Sequence, residues 1–313
     1  MDIENRVKYY LGILYDMYKK GENIEYNLNF DEKEEISYNK IQTINQNMLF
    51  YDNYNYQIRH YVTDLRKYFT ESQITKFIIF IAFGDINVKM KKFCFTKTRP
   101  IDLNNNLNVI LNLNTPRHWE SIKDVDLYDI PYDKKSNKII WRGSSTGKDK
   151  RIKLVDKFQN SFNKNIDIKF SNLCQNVANN NYILNKLSIQ EQLQSKFLIS
   201  VEGNDVATNL KWILYSNSVL IMPKPTIVSW VMEDKLQPGI HYVEIKSDFS
   251  DLEERYNWCL ENIDECKKIA ENGKKYIKMF LNVDHEKEIV KRVLEIYCKT
   301  VKIKNNNNIA LEI

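Results

Sequence analysis

The sequence is poor in cysteine, proline and glycine and has no long apolar run. Cys94, Cys174, Cys259, Cys266 and Cys298 are odd in number, scattered and without a CxxC pair, which excludes a disulfide framework and a zinc site and points to a reducing compartment. Cys259 and Cys266 stand seven apart in a helix-like segment and read as packing residues. The longest wholly apolar run, Phe77 to Phe83, falls far short of the roughly 20 residues that span a bilayer. The start, Met-Asp-Ile-Glu-Asn, is acidic and is not a secretory signal, so a cytoplasmic protein is expected, one able to work at the inner face of a membrane. Charge of one sign is lacking as well. With 46 Lys+Arg against 41 Asp+Glu, the net +5 is too mild and too mixed to make nucleic acid the default partner. No His or carboxylate cluster has metal-site spacing, so no metal is expected.

What is present is a chain that buries a core. Hydrophobic residues make up 43%, and 313 residues suit two domains. Val7, Tyr10, Leu11, Leu14 and Met17 share one helical face over 6–20, with Gly21 as a stop. Helix fragments are expected around 31–47 and 58–70. All six prolines, and six of the eight glycines, fall between Gly84 and Gly273, so the informative loops lie there.

After residue 70 short β-rich runs alternate with helical patterns, the signature of an α/β fold. The strand candidates are 77–83, 138–141, 166–170, 197–201, 219–222 and 241–245. Ser188-Ile-Gln-Glu191 and Ser250-Asp-Leu-Glu253 are capping-box patterns, and a helix is expected over about 206–216. The expected domains are 1–136, an N-terminal acceptor-side α/β unit, and 137–283, a Rossmann-like nucleotide unit. Residues 284–313 are expected as a closing helix and a frayed tail.

Ligands of open parallel sheets bind beyond the carboxyl ends of the strands. Three such ends carry polar, Gly-containing loops: Gly84-Asp85, Arg142 to Gly147, and Glu202 to Asp205. Arg142-Gly-Ser-Ser-Thr-Gly147 offers small residues, hydroxyls and cations ahead of a helix, which suits an anion. It is no Walker A loop, since Gly143 and Gly147 enclose three residues and Lys148 precedes Asp149. Gly203, with a helix expected from near Val206 that carries Thr208 and Lys211 on its first turns, offers a second anion site. Asp85 at a strand end suits a general base, although Asp after Gly is also an ordinary turn residue or cap.

At these residues the sequence resembles glycosyltransferase family 90, the group of CAP10 capsule proteins, protein O-glucosyltransferases and lipopolysaccharide-modifying proteins. Trp141-Arg-Gly-Ser-Ser-Thr-Gly147, Arg151, Glu202-Gly-Asn-Asp-Val-Ala-Thr-Asn-Leu-Lys211 and Ser216-Asn-Ser-Val219 carry the likeness. Phe95-Thr-Lys-Thr-Arg99, Pro238-Gly-Ile-His-Tyr-Val243 and Asp248-Phe-Ser-Asp-Leu252 agree with it. It covers about residues 80–285.

The resemblance implies a GT-B architecture, two Rossmann-like domains facing across a cleft, and metal-independent, inverting transfer from a UDP-linked sugar without a further cofactor. The acceptor it implies is a glycan or a lipopolysaccharide- or capsule-type glycolipid, and peripheral contact with a membrane fits that role. It makes Asp85 the catalytic base. Arg142, Gly143, Ser144, Ser145, Thr146, Arg151, Glu202, Gly203, Asn204, Asp205, Thr208 and Lys211 become the donor site, and Lys97, Arg99 and His118 candidate acceptor or sugar contacts. One departure stands out: eukaryotic relatives place an arginine where this chain has Asn209. The rival readings are a non-catalytic nucleotide-sugar or glycan-binding module and a phospho- or sulfotransferase.

Overall fold

The computed structural model describes residues 2–28, 41–45, 56–70, 78–102, 104–147, 149–178 and 181–305. The fold is α/β with parallel sheets. It divides into two compact units, Met1–Thr115 with Asn282–Ile313, and Pro116–Leu281.

In the first unit the expected single N-terminal helix is two, Ile3–Leu11 and Ile13–Lys19. Gly12 breaks it at φ 57, a left-handed value that only glycine adopts without strain. The break releases carbonyls that Arg99 takes up, its Nη1 donating to Tyr10 O at 3.2 Å and its Nη2 to Tyr9 O. Of the region expected as helix over 31–47, residues Ile41–Asn45 form a strand instead, and the others lie outside the described residues. That strand runs antiparallel to Ile78–Ala82, which continues in parallel through Cys94–Thr96 to Asn108–Ile110. The helix Tyr56–Thr70 forms as expected.

The closing helix, Val283–Thr300, packs against the N-terminal helices. Arg6 forms a buried ion pair there with Glu286, its Nη2 donating to Oε2 at 2.8 Å. The chain after this helix continues as the strand Val301–Asn305, which pairs in parallel with Ile24–Leu28, and the tail expected to fray after it lies outside the described residues.

The second unit is built on one five-stranded, all-parallel sheet. Its order across the sheet is Val243–Ile245, Val219–Pro223, Ser195–Ile199, Ser136–Ser144, Ile166–Asn172. The strands are apolar because helices cover the sheet. Their side chains, Ile139, Ile168, Phe197, Val219 and Ile221 among them, form the core with Leu154, Val155, Leu252 and Tyr256. Cys259 and Cys266 are fully buried in this core and pack as expected.

The Ser188 capping box closes both of its bonds, with Glu191 as partner. The second pattern does not form. Asp251 caps the helix Leu252–Glu261 without a side-chain bond and instead accepts from Lys246 N at 2.8 Å. Among the described residues no helix is long and apolar enough to cross a membrane.

Candidate functional site

The sheet of the second unit starts at Ser136–Ser144 and grows to one side with Ile166–Asn172 and to the other with the three later strands. Between Ser136–Ser144 and Ser195–Ile199 the connections therefore depart to opposite sides. This is the topological switch point, where the loops leave a crevice.

The loops after these two strands touch. Gly147, at φ 76, donates its N–H to Asn204 Oδ1 at 3.1 Å, and a Cβ on it would lie 2.5 Å from the carbonyl carbon and oxygen of Gly203. Arg151, in the helix Asp149–Phe158, ties both loops together. It donates to Ser144 O at 3.1 Å and Thr146 Oγ1 at 2.7 Å on one side, and to Val201 O at 2.9 and 3.1 Å on the other.

Beside this junction a pocket with about 540 Å³ of empty space opens beyond the strand ends. Val201, Leu210, Met222, Pro225, Ile227 and Phe249 contribute its apolar lining. Phe249 holds a left-handed backbone at φ 61, a strained value for a bulky residue.

Glu202 organises the polar side of the pocket. Its Oε1 accepts from the amides of Thr226 at 2.7 Å and Ile227 at 3.0 Å. Its Oε2 accepts from Thr226 Oγ1 at 2.5 Å and from Lys150 Nζ at 2.5 Å. The carboxylate thus fixes the chain that follows Val219–Pro223 against the end of Ser195–Ile199.

The profile of Glycosyl transferase family 90 matches residues 112–312. The chain belongs to this family. It is 33% identical over 204 residues to the O-glucosyltransferase LpsA of Dichelobacter nodosus, covering 65% of this chain and 61% of LpsA. It is 29% identical over 156 residues to protein O-glucosyltransferase 2 of Danio rerio, covering 49% of this chain and 31% of that one. An uncharacterised protein, 035R of invertebrate iridescent virus 3, is 32% identical over 116 residues, 35% of this chain and 10% of the viral protein. The chain therefore spans about three fifths or less of these relatives.

The family 90 residues expected at the donor site divide into three groups. Thr146, Arg151, Glu202, Gly203 and Asn204 meet at the junction, where Gly147, a residue outside that expected set, joins them. Gly143, Ser144, Ser145 and Arg142 face the other way, toward Ile166–Asn172 and the segment after it. A Cβ on Gly143 would strike the Trp141 ring at 2.6 Å. Ser144 Oγ donates to Asn172 Oδ1 and Ser145 Oγ to Cys174 O, both at 2.9 Å. Arg142 directs all five N–H groups to Trp141 O, Asp167 O, Asp167 Oδ2 and Asn185 Oδ1. Burial opposes ionisation of Asp167, but hydrogen bonds from Arg142 and Lys169 outweigh it and hold the carboxyl below its ordinary range.

The third group follows from a correction to the helix expected at 206–216. The chain turns through 206–209, and the helix is only Leu210–Tyr215. Asn209 is drawn back to the sheet, its Oδ1 accepting from Ser200 Oγ at 2.9 Å and its Nδ2 donating to Ile199 O at 3.0 Å. Thr208 lies in this turn and Asp205 is buried. Lys211 is buried, its Nζ 3.6 Å from Glu233 Oε1 and 4.7 Å from the centre of the Trp230 ring.

The expected sugar contacts are interior groups as well. His118 is buried and meets the Trp230 ring edge-on at 6.1 Å. In the first unit Arg99 is buried on the carbonyls of Tyr9 and Tyr10. Lys97, with no exposed side-chain surface, holds Asp85 Oδ1 at 3.0 Å. Asp85 follows the end of Ile78–Ala82, as its position after an apolar strand implies.

Sequence reasoning missed Lys150, Thr226 and Phe249. Lys150 stands just past the loop already singled out, in the first turn of the helix Asp149–Phe158, but charge spacing does not tell which of several neighbouring cations faces a pocket. Thr226 follows a Pro-Lys-Pro turn, which marks a loop but not its partner.

Proposed function

We propose that the pocket at the switch point holds the nucleotide of a UDP-linked sugar, and that the protein is a glycosyltransferase. It moves glucose, xylose or a similar sugar to a hydroxyl of a glycan or glycolipid acceptor. The observation that supports this reading is the contact of Gly147 with Gly203 beside an apolar pocket at the carboxyl ends of parallel strands. Family membership supplies the reaction class, and two relatives bear the name O-glucosyltransferase. The GT-B architecture and independence from metal enter this proposal on the family likeness.

In the proposed reaction the acceptor oxygen attacks the anomeric carbon as the bond to the diphosphate breaks. Asp85 accepts the acceptor's proton, and the diphosphate leaves with the negative charge. Single displacement inverts the anomeric configuration. Cations at the pocket lower the barrier by stabilising the charge that grows on the leaving group.

Thermal unfolding with UDP, ATP and adenosine phosphosulfate tests the donor, because a ligand of the native state at 100 times its Kd adds about 2.7 kcal/mol of stability. UDP is expected to raise Tm. A rise with ATP or adenosine phosphosulfate alone would overturn the reading. Transfer assays with UDP-glucose, UDP-xylose and UDP-galactose then identify the sugar, and UDP binding without turnover of any of them would make the protein a binding module.

A further inference from the structure

The outer edge of the parallel sheet in the second unit leaves apolar side chains in water. The edge strand is Ile166–Asn172, and a short loop leads into it from the helix Asp149–Phe158. Phe158 and Ile166, at the two ends of this loop, are buried in the core, while Phe162 between them is fully exposed. Local hydrogen bonds fix the loop. Ser161 N donates to Phe158 O at 3.1 Å, Asn163 N to Ser161 Oγ at 3.2 Å and Ile166 N to Asn163 O at 2.9 Å. The Phe162 ring therefore projects from an ordered turn.

A second apolar pair borders the same edge. Leu184 bridges in parallel to Phe170 of the edge strand, and Asn185 N donates to Phe170 O at 2.9 Å. Ile183 N donates at 3.2 Å to the side chain of Gln159, three residues before Phe162. Ile183 and Leu184 are 45% and 48% exposed. Lysines stand beside these side chains, and Lys138, Lys164 and Lys186 are all exposed. Lys164 is two residues from Phe162 and Lys186 two from Leu184. Lys138 precedes Ile139, whose N–H bonds Asn165 O at 2.9 Å.

The carboxylates on the adjoining elements have protein donors. Asp156 accepts from Tyr182 Oη at 2.9 Å, and Asp167 accepts from Arg142 at 2.7 Å and lies 3.0 Å from Lys169 Nζ. A face of this kind repels a second copy of itself, because two-fold pairing sets lysine against lysine. It complements a surface that is negative at its border with water and apolar beneath.

We propose that this edge docks the protein on an anionic lipid bilayer. Phe162, Ile183 and Leu184 enter the interfacial region, and Lys138, Lys164 and Lys186 meet the phospholipid headgroups. The Phe162 loop lies at the amino end of its strand, whereas the pocket opens beyond carboxyl ends, so the two sites do not overlap.

Flotation of the full chain with vesicles of phosphatidylcholine, and of phosphatidylcholine with about 30% phosphatidylglycerol, tests this. The wild type is expected to float with the second and not with the first, and to be released as salt rises. Phe162→Ser is expected to weaken binding about 10-fold, and Phe162→Trp to keep it, because tryptophan favours the same interfacial depth. The double variant Lys138→Gln/Lys164→Gln is expected to lose about 25-fold, at roughly fivefold for each lysine near an anionic surface. Leu127→Ser removes another exposed apolar side chain of the same unit and is expected to bind as the wild type does. All four positions are exposed, so Tm should stay at its wild-type value. A wild type that leaves anionic vesicles unbound overturns the proposal, as do wild-type binding in Phe162→Ser and an equal loss in Leu127→Ser. A wild-type dimer in gel filtration that Phe162→Ser makes monomeric assigns the edge to self-association and overturns it as well. UDP binding plays no part in these readouts, so the donor reading stands or falls separately.

Discussion

Gly147 and Gly203 come so close that a methyl group on the first would sit 2.5 Å from the carbonyl of the second. Two loops from separate strand-loop-helix units thereby share one surface, and no residue larger than glycine fits either side. A Cβ on Gly203 would lie 2.8 Å from Thr146 Oγ1 and 3.0 Å from Arg151 Nη2.

Gly147→Ala is therefore expected to lose more stability than its backbone angle alone explains. A left-handed angle costs a side-chain-bearing residue about 1–2 kcal/mol, and forced overlap adds about 1–3 kcal/mol. Gly239→Ala is the control, since Gly239 has φ 74 in the same unit with nothing within 4 Å of its Cβ position. Chemical denaturation should show Gly147→Ala clearly the less stable of the two, and equal losses would mean that the loops do not touch.

Arg142→Met should act on stability. It strips Asp167 and Asn185 of their guanidinium partner, at a cost on the order of 2 kcal/mol for charged hydrogen bonds. The Asp167 carboxyl is held below its ordinary value in the folded chain, so the stability it contributes is complete above the unfolded value, near pH 4. That contribution is lost as the pH falls through the lower folded value. Melting curves between pH 2 and 7 should show a weaker acid dependence in Arg142→Met over the lower part of this range. A variant of wild-type stability that binds UDP poorly would return Arg142 to the donor site.

Asp85→Asn keeps an oxygen for the Lys97 ammonium, 3.0 Å away, and is expected to fold. It removes the proposed proton acceptor, so transfer should fall at least about a hundredfold with UDP affinity retained. Initial rates under saturating donor decide this, and near-normal turnover would reject Asp85 as the base.

The strands of the second unit were legible because strands buried on both faces need unbroken apolar runs, and Ile139, Ile168, Phe197 and Ile221 lie in such runs. The Ser188 capping box was legible for a similar reason, since both of its bonds are local. The helix expected at 206 was not. Asn209 gains two bonds from Ser200 and Ile199, and they hold the chain in a turn until Leu210. The N-terminal helix pattern gave no sign of its break, because the carbonyls that Gly12 releases are met by Arg99, a residue far along the chain.

The sequence alone determined the alternation of strands, polar loops and helices, and with it the strand ends where a ligand could bind, since apolar period and glycine placement act over a few neighbouring residues. The tertiary structure alone decided which charged groups face the pocket. Long side chains such as those of Arg142, Arg151, Lys150 and Lys211 go to whichever acceptors the pairing of distant strands brings within reach, and that pairing cannot be read along the chain.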